Sequence, residues 1–236
     1  MLQQNFPNLQ QFREYMAARL GAIEVIRQTL YDTVIYPAAG IAQLRFFQNP
    51  IGQGLSAQPG AATAPKSLAD TNMTLAGQLP APQGFWVQSI EVDVQPGSSS
   101  TANTFALQHP GAFAATAAAT VQAGDHDVNA IYTTGALVFT IGQKPYLQEA
   151  PLLVFPPKCR FELDAAIGSN SSTTGEVLKT KLKAGGRPYL LDPGIAIMTS
   201  QNFDVTLFWP AVVATPSGFN AQIRVRLDGY LFRAVQ

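Results

Sequence analysis

From residue 34 onward, apolar and polar residues alternate in short runs broken by glycine, proline, asparagine and serine, and a chain written this way folds into a β-sandwich or barrel. The clearest run is Phe85–Gln95. There Ile90, Val92 and Val94 fall on one side and Glu91, Asp93 and Gln95 on the other, which predicts one buried face and one wet face. Phe203, Val205, Leu207 and Trp209 alternate in the same way before Pro210 ends the run, and Ile223–Phe232 gives a long final strand. Shorter strands are expected at Val34–Phe47, Ile131–Ile141, Leu152–Phe155, Arg160–Ile167 and Tyr189–Met198, each bounded by proline or glycine. The connections at 48–82, 97–130 and 168–188 are long. Eight antiparallel strands in two facing sheets is the strand count of a jelly roll.

Residues 8–32 follow a different rule. Asn8 is a good N-cap, and Leu9, Phe12, Met16, Leu20, Ile23, Arg27 and Leu30 advance in steps of three and four, which predicts an amphipathic helix of about six turns. Its apolar stripe (Leu9, Phe12, Met16, Leu20, Ile23, Leu30) is the candidate assembly interface. The stripe packs under its own domain, or docks on a neighbouring subunit or a membrane surface. The mixed acids and bases of the polar face disfavour the membrane. The expected organisation is a helix over 1–33 followed by one β domain over 34–236.

Composition narrows the function. Charged residues are 13% of the chain, about half the usual share, and Lys+Arg and Asp+Glu balance at 15 each. With 47% hydrophobic residues and a mean hydropathy of +0.08, the chain is too apolar for disorder. No apolar stretch approaches the about 20 residues that cross a bilayer. A surface so thinly charged is poorly protected against self-association, so much of it is expected to be covered by neighbours. The Ala/Ser/Thr/Gly-rich stretch 97–130, almost free of charge before Asp125, and the Pro/Gly-rich stretch Ile51–Pro65 suit tight packing against another chain or a solvent loop.

Chemistry-bearing residues are few. His109 and His126 are the only histidines, and Asp125, His126 and Asp127 are three consecutive residues, a spacing that rarely converges on one metal ion. The single cysteine, Cys159, cannot form an internal disulfide and reads as a buried or interfacial structural thiol, in a chemistry that is cytosolic or independent of oxidation. The N-terminus lacks the pattern of a secretory signal. Phosphate-cradling glycine loops and the G-x-S-x-G elbow are absent from the sequence. Glu91 and Asp93 resemble a carboxylate pair but are the ordinary polar face of a strand. No enzymatic activity and no cofactor or metal is expected. Neutral charge without a basic arm argues against strong direct nucleic-acid binding, although Lys179, Lys181, Lys183 and Arg187 form a local positive segment, read as a solvated loop or hairpin edge. Tyr132, Tyr146, Tyr189, Trp86 and Trp209 are candidate stacking residues for a binding module or ordinary core.

The segments Pro80–Pro96 (PAPQGFWVQSIEVDVQP), Tyr189–Trp209 (YLLDPGIAIMTSQNFDVTLFW) and Ile223–Gln236 (IRVRLDGYLFRAVQ) resemble the paired inner strands of jelly-roll viral capsid proteins. The family is that of tailless icosahedral phage coats, including the tectivirus-like and adenovirus-like lineage. The resemblance implies a coat protein that self-assembles into a virion shell in the host cytoplasm, with copies of itself and other capsid proteins as partners. Contact with an internal membrane would be a further partner. Double-barrel members carry two jelly rolls, and eight strand signals here favour a single barrel over a compact double one. Residues 1–33 lack the arginine-rich arm of many small RNA-virus coats, which implies a genome held by other means. The alternative is a phage spike, a receptor-binding head or a carbohydrate-binding jelly roll.

Overall fold

β-branched and aromatic residues recur in the segments that become strands, and among the described residues the chain forms ten strands and two α-helices. The structure is a computed structural model that describes residues 6–58, 61, 63–96, 117–170, 173–184 and 186–235. Along the chain the elements are α1 (Leu9–Leu20), β1 (Ile23–Tyr36), β2 (Gln43–Phe46), β3 (Gly84–Gln95), α2 (Ala117–Thr134), β4 (Ala136–Ile141) and β5 (Lys144–Glu149). They continue as β6 (Cys159–Asn170), β7 (Thr173–Ala184), β8 (Tyr189–Ile197), β9 (Phe203–Phe208) and β10 (Ala221–Ala234). Two four-stranded antiparallel sheets, in the orders β1-β10-β3-β8 and β2-β9-β4-β5, make the sandwich, and β6 and β7 form a separate ribbon. The fold is therefore mostly β, with one N-terminal helix outside the sandwich.

The core lies between the sheets. Ile90, Val92 and Val94 of β3 and Ile223, Val225 and Leu227 of β10 meet Leu137, Phe139 and Ile141 of β4 and Val205 and Leu207 of β9. α2 is anchored to β3 through Tyr132, whose hydroxyl donates to the Val92 carbonyl (2.6 Å) and accepts from the Val94 N–H (3.3 Å). On the free side of the sandwich the Tyr189 hydroxyl of β8 donates to Glu149 of β5 (3.3 Å), which joins the edge strands of the two sheets.

Several expectations need correction. The helix expected over 8–32 ends at Leu20, and Ile23 and Leu30 stand on β1, which runs across residue 33. The three-four spacing continues past Gly21, but Ile23, Val25, Ile26, Thr29, Thr33, Val34 and Ile35 are β-branched, and the segment pairs with β10 over its full length, from Ile23 opposite Ala234 to Tyr36 opposite Ala221. The single strand expected at Val34–Phe47 is broken, since β1 ends before Pro37 and β2 starts at Gln43. At Ile131–Ile141 only Ala136–Ile141 is strand, because residues 131–134 finish α2. Leu152–Phe155 is a single 3₁₀ turn, Leu152–Val154. In the stretch 97–130, residues 97–116 lie outside the described residues, and the helix-forming alanines from 117 open α2. Most of 168–188 is the second arm of the β6–β7 hairpin.

Among the described residues of the connection 48–82 no strand forms, as expected, yet the segment is firmly tied down. Asp70 accepts from the N–H groups of Ala57 and Ser67 and from the hydroxyls of Ser56 and Ser67, gathering the loop round one carboxylate. Lys66, 3% exposed, reaches Asp32 of β1, 1% exposed, at 2.6 Å, while the other Asp32 oxygen accepts the Phe47 N–H. Thr71 then bridges β1 at Asp32 and blunts that edge of the sheet.

Candidate functional site

Three surfaces of the sandwich carry features beyond simple packing. The first is a charged strip on the outer face of the β1-β10-β3-β8 sheet. Register lines up three cross-strand rows on that face: Thr33, Arg224 and Asp93; Tyr31, Arg226 and Glu91; Thr29, Asp228 and Ser89. The wet face expected for Glu91 and Asp93 is thus corrected: both are buried, as is Asp228, because cations and neighbouring segments cover this side of the sheet too.

Each carboxylate in the strip is ion-paired. Lys158 reaches Glu91 at 3.1 Å and Asp228 at 2.6 Å, Arg27 reaches Asp228 at 2.5 Å, and Arg226 lies 3.6 Å from Glu91 and 3.5 Å from Asp93. Burial raises the Asp93 carboxyl above its ordinary value, and Arg226 offsets only part of that. Burial also pushes Asp228 upward, but the hydrogen bonds from Lys158 and Thr29 outweigh it and hold this carboxyl below its ordinary value. The strip is a clamp of buried acids under more exposed bases. It joins β1, β3 and β10 to the segment entering β6.

The second surface is the seat of α1 at the other end of the same outer face. Phe12 and Met16 are fully buried against Trp86 and Phe232, with the Phe12 ring 5.6 Å from Trp86 and 4.9 Å from Phe232. A Cβ at Gly84 would lie 2.8 Å from the Met16 methyl, so glycine there permits the helix's close approach. Of the residues read as an assembly stripe, Leu9, Phe12, Met16 and Leu20 share this cluster with Ile23 of β1, and Leu30 belongs to the main core instead. The third surface is the 48–82 loop, which holds Ile51, Leu55, Leu68 and Leu75 exposed on its tightly bonded frame.

The remaining candidates are scattered. His126 is exposed, and its neighbour Asp127 is buried, accepting from the Ser217 N–H (2.8 Å) and hydroxyl (2.5 Å) to tie α2 to the loop before β10. His109 lies outside the described residues. Cys159 is exposed, not buried, at the very start of β6. Register sets Lys179, Lys181 and Lys183 of β7 opposite Asp164, Glu162 and Arg160, and Arg187 is exposed beyond the strand. Trp86, Trp209 and Tyr132 are buried, leaving Tyr146 and Tyr189 partly exposed. Among the described residues no group of three or more His, Cys, Asp or Glu side chains is placed to hold a metal ion, and no helix is long and apolar enough to cross a membrane.

Sequence reasoning missed Lys158, Lys66 and Asp32 as organising groups. Asp228 carried a signal, an acid between Arg226 and Tyr230 in the last strand, whereas Lys158 reaches the strip only because the chain folds back over β3, where the Val92 N–H donates to the Phe155 carbonyl. Compared with known proteins, the chain matches no family model, no curated protein and no solved structure.

Proposed function

We propose that the chain is a non-enzymatic coat subunit, a single jelly roll whose copies assemble into a closed icosahedral virion shell. The observation that carries this reading is the strand order. Numbered 1 to 8 along the chain with the β6–β7 ribbon left out, the sandwich strands lie in the orders 1-8-3-6 and 2-7-4-5. Strands 1 and 8, 2 and 7, 3 and 6, and 4 and 5 are then antiparallel neighbours, as in one long hairpin wound round a barrel, an arrangement that supports a jelly-roll path. The low, balanced charge supports lateral contacts that desolvate few ions. Exposed Ile51, Leu55, Leu68 and Leu75 on a loop gathered round the Asp70 carboxylate add apolar surface of the kind that protein contacts use. Copies arranged with closed symmetry would end growth at a shell, to be found in the virion after assembly in a host cytoplasm.

A spike or carbohydrate-binding jelly roll is the second reading. It is favoured by Tyr146, partly exposed, with the Lys144 ammonium 5.6 Å from its ring centre. Light scattering and negative-stain microscopy of the concentrated protein separate the two. Shells, sheets or uniform capsomers support the coat reading; discrete monomers or trimers that bind glycans support the second and overturn the first.

A further inference from the structure

We propose that copies of this chain engage one another by exchanging α1, so that the helix of one copy takes the seat over Trp86 and Phe232 on a neighbour's sheet. The inference rests on the self-assembly reading above and names the element through which it acts. α1 has 12 residues, a length at which an isolated helix is marginal in water, so it needs a seat on some sheet. The seat fits it closely, since Phe12 and Met16 reach zero exposure there.

Three features make the helix transferable. First, its cluster with Trp86 and Phe232 is separate from the core between the sheets, so lifting it off opens none of the sandwich interior. Second, the side-chain hydrogen bonds described for it stay within its own segment and travel with it: the Asn8 side chain accepts from the Gln11 N–H, Gln10 donates to Glu14, and Arg19 donates to Tyr15. Third, only Gly21 and Ala22 join it to β1. Gly21 stands at φ 77° and ψ −128°, a conformation open in practice to glycine alone, and nothing crowds its α-carbon.

Folding the helix back onto its own sheet requires that conformation in a two-residue hinge, whereas an extended hinge releases it; short constrained hinges favour exchange. At the second hinge residue the Ala22 carbonyl accepts the Val235 N–H, so β1 stays fixed and the turn at Gly21 alone redirects the helix. The contacts made on a neighbour are the same as those made at home. The cost is association alone, which concentration and the remaining lateral contacts offset.

The test uses single-cysteine chains. In a Cys159→Ser background, Met16→Cys and Gly84→Cys are prepared as separate full-length proteins, mixed under assembling conditions and oxidised. Exchange predicts a disulfide-linked band at twice the chain mass, appearing only in the mixture; the double variant in one chain serves as the control that the pair can bridge. Particles by light scattering with no linked dimer, while the control closes within its own chain, overturn exchange and leave the coat reading standing. Solitary chains by light scattering overturn both. If a cysteine variant does not fold, inserting Gly-Gly-Ser after Gly21 gives an independent measure. The longer hinge should raise the concentration at which assembly starts at least about fivefold, and an unchanged onset overturns exchange.

Discussion

A lysine with 3% exposure beside an aspartate with 1% exposure is stable only as a pair. Lys66→Met strands a buried carboxylate and should cost about 3–5 kcal/mol in urea unfolding; adding Asp32→Asn should recover part of that, because the amide oxygen still accepts the Phe47 N–H. Acid stability divides among the buried carboxyls by the sign of each shift. Burial lifts Asp93 above its ordinary 3.8 despite Arg226, so in the folded state it gains its proton first and adds stability as pH falls toward that value. Asp228 is held below 3.8, so its contribution is whole above that pH and is lost as the pH falls through its lower folded value. Asp228→Asn should therefore lower the melting temperature at neutral pH and flatten the further fall below about pH 4. None of these pairings was legible in the sequence. Asp32 and Lys66 are 34 residues apart, and nothing local to either marks a partner.

At the scale of elements, period-two alternation located β3 and β9 to within one residue and β10 to within two at each end, since their inner faces meet the opposite sheet and favour apolar side chains. Val92, fully buried in β3, tests that orientation. Val92→Asp should destabilise the fold by more than about 4 kcal/mol, and an unchanged melting temperature would refute the strand's facing. Tyr132→Phe removes the hydroxyl that satisfies Val92 and Val94 backbone groups and should cost about 1–3 kcal/mol, with faster amide exchange at the end of α2 as its local sign. Sequence misread the α1–β1 junction because Ile23, Arg27 and Leu30 satisfy helical spacing, while the 14-residue partner that makes them a strand lies at the far end of the chain. It also took Glu91 and Asp93 for a solvent face. Alternation reports which side chains are polar, and the ions that cover them come from elsewhere in the chain.

For the whole molecule, the two-layer β architecture was readable from pattern, but the eight expected strands are not the eight of the sandwich, since Leu152–Phe155 is a turn, Arg160–Ile167 lies in the ribbon, and β1 and β5 were not foreseen. The charged strip and the helix seat arise only where distant segments cross one sheet. The β6–β7 ribbon is peripheral to that architecture. Its base is closed by the pairing of Cys159 with Ala184 and by the Gly186 N–H donating to the Lys158 carbonyl. Replacing residues 160–183 with a short Gly/Ser turn should leave the β circular-dichroism signature intact and move the melting temperature by no more than a few degrees. A collapse of the signature would make the ribbon part of the folding unit. The pairing of β1 with β10 also sets a timetable for synthesis. On the ribosome, the edges of β1 and β3 that face β10 have no strand partner until residues 221–234 emerge, so everything up to that segment must be translated before the sheet can close. Nascent chains released early would expose two long open ladders, and premature termination would yield sticky fragments in place of half-folded domains.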